Sequence, residues 1–189
     1  MSPSERAAAY NAAFPKWPPL VVYGRWIYGV WEIGNDYRNR SPLYGAYPAR
    51  FLPRLQALFP DHAPGTWLHA FAGSLPPDTH GLRVDRVHAR QPDVVADVCQ
   101  LPLGTASVEM VDADPPYGER HAKRYGTKMV NRLAATRELA RVVTPGGHLA
   151  WLDTKKPMYR NTEWFLFGEI GVVRSTNHDV RMLFLFERQ

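Results

Sequence analysis

The stretch Val111-Asp112-Ala113-Asp114-Pro115-Pro116-Tyr117-Gly118 concentrates the most distinctive chemistry of the chain. An apolar strand from Ser107 runs into a rigid Asp-Pro-Pro-Tyr turn. Two consecutive prolines hold φ at about −65° and leave no N–H at either position. Backbone carbonyls around Asp114 then become fixed acceptors. An exocyclic –NH2 on a flat base needs two acceptors for its hydrogens and a ring to stack on. Asp114 with the Pro115 carbonyl supplies the first, and Tyr117 the second. The same residues also suit a plain strand-ending turn, in which the Asp caps and the Tyr packs.

Three further sites fall in an order that matters. Phe71-Ala72-Gly73-Ser74 is a Gly-containing turn after a short strand over 66–70, and glycine lets a ligand approach the backbone closely. Asp85 ends a second strand, Leu82–Asp85, where an acid can accept from ribose hydroxyls. Asp97, followed by Val98 and Cys99, closes a third strand over 94–97. In a doubly wound sheet the turns after these strands and after the 107–113 strand line up along one edge.

The elements that position these residues alternate. Beyond the four strands, the apolar spacing predicts a helix over 128–143, stopped by Thr144-Pro145-Gly146-Gly147. A fifth strand, His148–Leu152, ends at Asp153. Residues 162–167 read as helical, and 171–174 with 180–187 as a closing antiparallel pair. Upstream, Ala7–Ala13 suits a short helix, and Leu20–Trp31 suits short strands or loops because glycines recur. Phe51, Leu55, Leu58 and Phe59 have helical spacing, with Pro53 either in the first turn of a short helix or kinking a longer one. The expected fold class is α/β: a Rossmann-like, mostly parallel sheet with an antiparallel C-terminal hairpin, covered on both faces.

Composition sets the outer limits. The 189 residues are 45% apolar, with a net charge of +5 and one cysteine, Cys99. These values fit a globular chain in a reducing cytoplasm, with no internal disulfide and no membrane span. Charge is segregated: +4 over residues 1–60, −5 over 61–118 and +5 over 119–141. An acidic middle suits a cationic or hydroxyl-rich small ligand, and the basic flanks suit a polyanion, although ordinary surface charge gives similar patterns. Arg120, Lys123, Arg124 and Lys128 follow the Asp-Pro-Pro-Tyr turn, where they could clamp phosphates. Arginines interleaved with aromatics, through Asn35–Arg40, could stack bases or cap a sheet edge. His121 and His178 lack companions at metal-ligand spacing, so no metal site is expected.

On these motifs the chain resembles class I S-adenosylmethionine-dependent methyltransferases of the amino-group type, and among them N6-adenine DNA methyltransferases. Asp114-Pro115-Pro116-Tyr117 is similar to that branch's signature, and Phe71-Ala72-Gly73-Ser74 to the start of its cofactor motif. Thr144-Pro145-Gly146-Gly147 is common in class I enzymes. Pro42-Leu43-Tyr44-Gly45-Ala46-Tyr47-Pro48 resembles the segment preceding the cofactor motif. The resemblance implies S-adenosyl-L-methionine as cofactor, held by Tyr47, Phe71, Ala72, Gly73, Ser74, Asp85, Asp97, Val98 and Asp114. It implies Asp114, Pro115, Pro116 and Tyr117 as the catalytic set acting on a flipped base, most often adenine N6 in DNA. The alternatives are an RNA base, a small-molecule or protein amide, or a catalytically inactive nucleic-acid-binding subunit. Residues 1–40 would form an arm and aromatic segment packed on a catalytic domain of residues 41–189. A homodimer or a specificity partner would complete target choice.

The chain departs from the family at four places, the first being Tyr47, which stands where the upstream segment commonly has a lysine. His69 stands where an acid is usual, Leu75 replaces the second glycine, and Ser74–Gly81 is too short and Pro-rich for the usual helix. Losing that helix N-terminus leaves the cofactor carboxylate to another donor, with Tyr47 or Arg50 as candidates.

Overall fold

The computed structural model describes residues 1–34, 47–175 and 180–189. Helix α1, Pro3–Ala13, begins earlier than the alanine run suggests because Ser2 and Glu5 cap each other reciprocally and Pro3 sits at the first turn. Strands β1 (Val21–Tyr23) and β2 (Trp26–Ile33) follow. Helix α2 is the short version, Phe51–Leu58, with Pro53 in its first turn. The remaining elements are β3 (Trp67–Ala70), β4 (Leu82–Asp85), β5 (Val94–Val95), β6 (Val108–Ala113), α3 (Glu119–Arg124), α4 (Arg132–Val142), β7 (Val143–Asp153), β8 (Trp164–Arg174) and β9 (Val180–Arg188).

All nine strands join one sheet in the order β1-β2-β8-β9-β7-β6-β3-β4-β5. Strands β3 to β7 pair in parallel, while β9 runs antiparallel to both β7 and β8. Strand β2 extends the sheet by pairing in parallel with β8 from Ile27↔Gly168 to Ile33↔Arg174. Each face carries its own core. On one, α1 and α2 bring Tyr10, Phe51 and Leu55 against Trp31, Phe167 and Leu185. On the other, α4 brings Ala135 and Leu139 against Val111, Leu149 and Trp151.

Three expected elements are corrected. Residues 162–167 do not form a helix; β8 starts at Trp164. This strand lies inside the sheet and is buried on both faces along most of its length, so it lacks the two-residue alternation that would have marked it. The 128–143 helix begins only at Arg132, where the Asn131 side chain accepts from the Ala134 N–H at 3.1 Å. Its end is not a glycine cap. Val143 passes straight into β7, and the register shift between Val108/Val143 and Met110/His148 marks a bulge over Thr144–Gly147. A Cβ on Gly147 would lie 2.7 Å from the Glu109 carbonyl, so the bulge itself requires a glycine.

The connection from β3 to β4 contains no helix, as its length and prolines predict. Polar ties fasten it to the sheet instead. Arg83 donates to the Leu75 carbonyl at 3.1 Å, and His69 Nε2 donates to the His80 carbonyl at 2.7 Å. The chain turns at Gly81, φ +99°, where a Cβ would lie 2.7 Å from the Trp67 carbonyl. The other nitrogen of His69, Nδ1, lies 2.6 Å from Asp112 on the neighbouring strand β6, and both side chains are buried. The close carboxylate favours a ring that carries both protons. Burial opposes that charge, but the Asp112 carboxylate outweighs it and pushes His69 up to about 9.

A second buried histidine has the opposite bias. His148 of β7 lies with Nε2 3.3 Å from the Arg6 guanidinium and Nδ1 2.8 Å from His62. Burial, reinforced by Arg6, holds it down to about 3. Arg6 is itself clamped to Asp61 at 2.6 and 2.8 Å.

These two histidines predict a stability optimum. His148 is ordinarily protonated below about 6.5, and the fold keeps it neutral, so its contribution is complete above that pH and is lost as pH falls toward 3. His69 contributes fully below about 6.5, and that contribution is lost as pH rises through 9. Each limb has a limiting slope of about 1.4 kcal/mol per pH unit. Urea unfolding across pH should show His148→Gln flattening the acid limb and His69→Gln flattening the alkaline one.

Candidate active site

The sheet reverses its winding between β3 and β6: from β3 the chain moves outward to β4 and β5, then returns to β6 on the other side. A crevice opens at such a point beyond the strand C-termini. Here it is a cleft open to solvent between the turns after β3, β4 and β6. Phe71, Gly73, Asp85, Asp97, Val98, Asp114 and Pro116 all line it, so the strand-end residues read from the sequence do converge.

Asp85 holds the cleft together. Its carboxylate accepts from the Gly73 N–H at 3.0 Å and from the Val87 N–H at 2.8 Å, joining the turns after β3 and β4. Arg90 stands 4.0 Å away. The turn after β3 is tight enough that Phe71 (φ +60°) and Gly73 (φ +58°) both adopt left-handed backbone. Phe71 tolerates this because the Ala72 N–H is anchored on the Val84 carbonyl at 2.9 Å and its ring meets Trp151 edge-on. Asp97 is more open; it accepts from the Cys99 N–H at 2.9 Å and pairs with Arg86 at 3.4 Å.

At the far end, Tyr117 donates its hydroxyl to Asp114 in a short hydrogen bond. The Arg181 guanidinium lies 4.8 Å from the Tyr117 ring centroid, so one face of that ring is covered. Burial raises Asp114 to about 6; Arg181 and Tyr117 lower it, while Asp153 and Asp112 raise it further. Burial, followed by the neighbouring Asp114, pushes the Tyr117 phenol well up. Asp153, at the end of β7, is fully buried and clamped by Arg132 at 2.8 and 3.2 Å. Tyr47 is buried close enough to Asp112 and Asp114 for both to raise its phenol, after burial itself. The result is an acid-rich wall ending in one half-buried carboxylate beside an aromatic ring.

Other expected residues divide. Ala72 and Ser74 are buried behind the cleft wall, as are Pro115 and Tyr47. Lys128 lines the cleft, whereas Arg120, Lys123 and Arg124 stand exposed on α3. Cys99 borders a separate groove with Arg137 and Arg141. Burial and the nearby Asp97 push its thiol up to about 11, which leaves it protonated. Asn35–Arg40, the upstream 41–46 segment and His178 lie outside the described residues. Arg90, Tyr125, Val130 and Arg181 were not anticipated; they reach the site from loops and from the antiparallel strand, where no local spacing marks them.

No family model matches the chain. Over 80 residues it is 40% identical to the mouse tRNA (guanine(6)-N(2))-methyltransferase THUMP3, a match covering 41% of this chain and 14% of the mouse protein. TrmN from Thermus thermophilus superimposes with a TM-score of 0.54 at 19% identity, over 77% of this chain and 55% of that one. A Burkholderia thailandensis 1,6-didemethyltoxoflavin-N1-methyltransferase, solved with S-adenosylhomocysteine, gives a TM-score of 0.51 at 12% identity, over 100% and 91%. The chain thus spans one-seventh of the mouse relative's length and little more than half of TrmN. With the sheet order and the cleft at its reversal point, these likenesses establish the class I S-adenosylmethionine-dependent methyltransferase fold.

Proposed function

We propose that the chain transfers a methyl group from S-adenosylmethionine to an exocyclic amine of an RNA base, with guanine N2 in tRNA as the favoured target. The observation that carries the reaction type is the joining of Asp114 and Tyr117 to a cleft that Asp85 and Asp97 also line. The choice of RNA follows the 40% identity to a protein named for tRNA guanine methylation. It replaces the DNA adenine target that the Asp-Pro-Pro-Tyr motif suggests; two acceptors beside a ring suit the exocyclic amine of guanine equally well on chemical grounds.

The residues present fit the cofactor. Asp85 and Asp97 offer carboxylates to hydroxyls and ring amines, Phe71 and Val98 offer apolar contact, and the acidic wall suits a sulfonium. S-adenosylmethionine, when bound, supplies an electrophilic methyl group. Asp114 and the Pro115 carbonyl accept the two amine hydrogens and so fix the nitrogen lone pair. Near neutral pH Asp114 is ionised, and with a value of about 6 it is suited to take up the proton that the amine releases. Tyr117 offers the uncovered part of its ring to the base. Catalysis of this kind rests mainly on positioning.

Incubation with labelled cofactor and pools of tRNA and DNA, followed by nucleoside analysis, should place the label on N2-methylguanosine in tRNA. Label on DNA adenine would reverse the choice of substrate. Asp114→Ala should lower transfer by about 100-fold or more, with cofactor affinity in calorimetry changing less than in Asp85→Ala. In the wild type, kcat/KM should fall on the acid side of about pH 6 as Asp114 becomes protonated. Asp85→Ala should weaken cofactor binding by about tenfold or more, as expected for a carboxylate bonded to ribose.

A further inference from the structure

Each acid around the reaction corner has an obvious counterpart except Asp114. Asp112 has His69 at 2.6 Å, and Asp153 has the Arg132 clamp. Asp114 receives only the Tyr117 hydroxyl as a direct hydrogen-bond partner among the described residues. It nevertheless stands near both other acids. The cation that faces it comes from an element with no part in the motif. Strand β9 runs antiparallel to β7 with Asp153 opposite Met182, so Arg181, one residue earlier, projects at the sheet edge that carries the cleft. Its guanidinium lies over the Tyr117 ring, 4.8 Å from the centroid, while that ring's hydroxyl holds Asp114.

We propose that Arg181 is a positioning residue for the target-amine half of the site: it holds the Tyr117 ring against Asp114 and keeps that carboxylate in its charged, hydrogen-accepting form. Its purpose rests on the methyl-transfer reading given above. The guanidinium acts by two routes. Stacking fixes the ring plane and reserves its other face for the base. Its charge offsets Asp112 and Asp153 at Asp114, where burial favours the neutral acid. The other titratable groups facing this corner are Tyr47 from the segment before α2, His69 through Asp112, Arg132 through Asp153, and His121 of α3, whose ring meets Tyr117 edge-on at 5.7 Å. Tyr125 and Lys128 also border it, from the segment after α3, while His69 and Arg132 are engaged by Asp112 and Asp153.

Arg181→Gln and Arg181→Lys separate the role from general packing. Asp114 can be followed by ¹³C carboxyl NMR in the complete protein, without any substrate. Its titration midpoint should rise by about one pH unit in Arg181→Gln and stay near wild type in Arg181→Lys. In methyl transfer to tRNA, Arg181→Gln should lose about fivefold in kcat/KM near pH 6 and recover nearly all of that by pH 8, with the cofactor dissociation constant unchanged. An unchanged Asp114 midpoint in Arg181→Gln overturns the proposal, and so does a loss of activity equal at all pH values. If Arg181→Gln folds poorly, Arg181→Met gives the same neutral comparison with the stem preserved. A wild type that methylates no RNA overturns the proposed function, and the carboxyl titration still decides the electrostatic role of Arg181.

Discussion

Four carboxylates gathered at one edge of a mostly buried sheet are the constraint around which this molecule is built. Asp85, Asp112, Asp114 and Asp153 end or closely follow strands that lie side by side. A buried carboxylate without a partner costs several kcal/mol. Each is therefore met differently. Asp85 takes two backbone amides, Asp112 takes a protonated histidine, Asp153 takes the first residue of α4, and Asp114 takes a phenol with an arginine behind it. Much of the local architecture follows from these answers. The turn after β3 bends back toward Asp85, α4 points its N-terminal residue at β7, and β9 begins where Asp114 needs positive charge. The remaining electronegativity lines the space that a cationic methyl donor would enter.

The placement of the strand-end acids was legible in the sequence. Strand β4 has its expected bounds, and Asp85, Asp97 and Asp114 meet in one cleft because each ends or follows a strand of the same parallel set. What could not be read were partners distant along the chain. Nothing near Asp114 points to Arg181, and nothing near Asp112 points to His69; only the β3–β6 and β7–β9 registers bring them together. Burial on both faces also concealed β8, whose apolar run resembles a helix segment as much as a strand. Thr144-Pro145-Gly146-Gly147 misled for a different reason. Glycine serves a tight bulge as well as it serves a helix cap, and spacing alone does not separate the two uses.

The departures from the amino-methyltransferase pattern are internally consistent. Where the family places an acid, His69 forms a buried ion pair, and its second N–H fastens the helix-free connection through His80. Arg83 and Gly81 complete that fastening. One substitution and one shortened crossover thus belong to a single rearrangement. Losing a helix on this side removes an N-terminus that could hold a carboxylate, so the methionine end of a cofactor would depend on nearby side chains.

Strand β9 also has a consequence for how the protein acquires its shape. It lies between β7 and β8 and pairs with each, so without it the sheet falls into two pieces, β5-β4-β3-β6-β7 and β1-β2-β8. Its pairing with β7 joins residues separated by the whole of β8 and its connections, a non-local contact of the kind that slows folding. Until residues 180–188 slot into that gap, the two hydrophobic cores are incomplete and Asp114 has no arginine. Completion of the cleft corner and closure of the sheet both depend on β9, and a chain caught before its insertion would expose two unpaired strand edges at once.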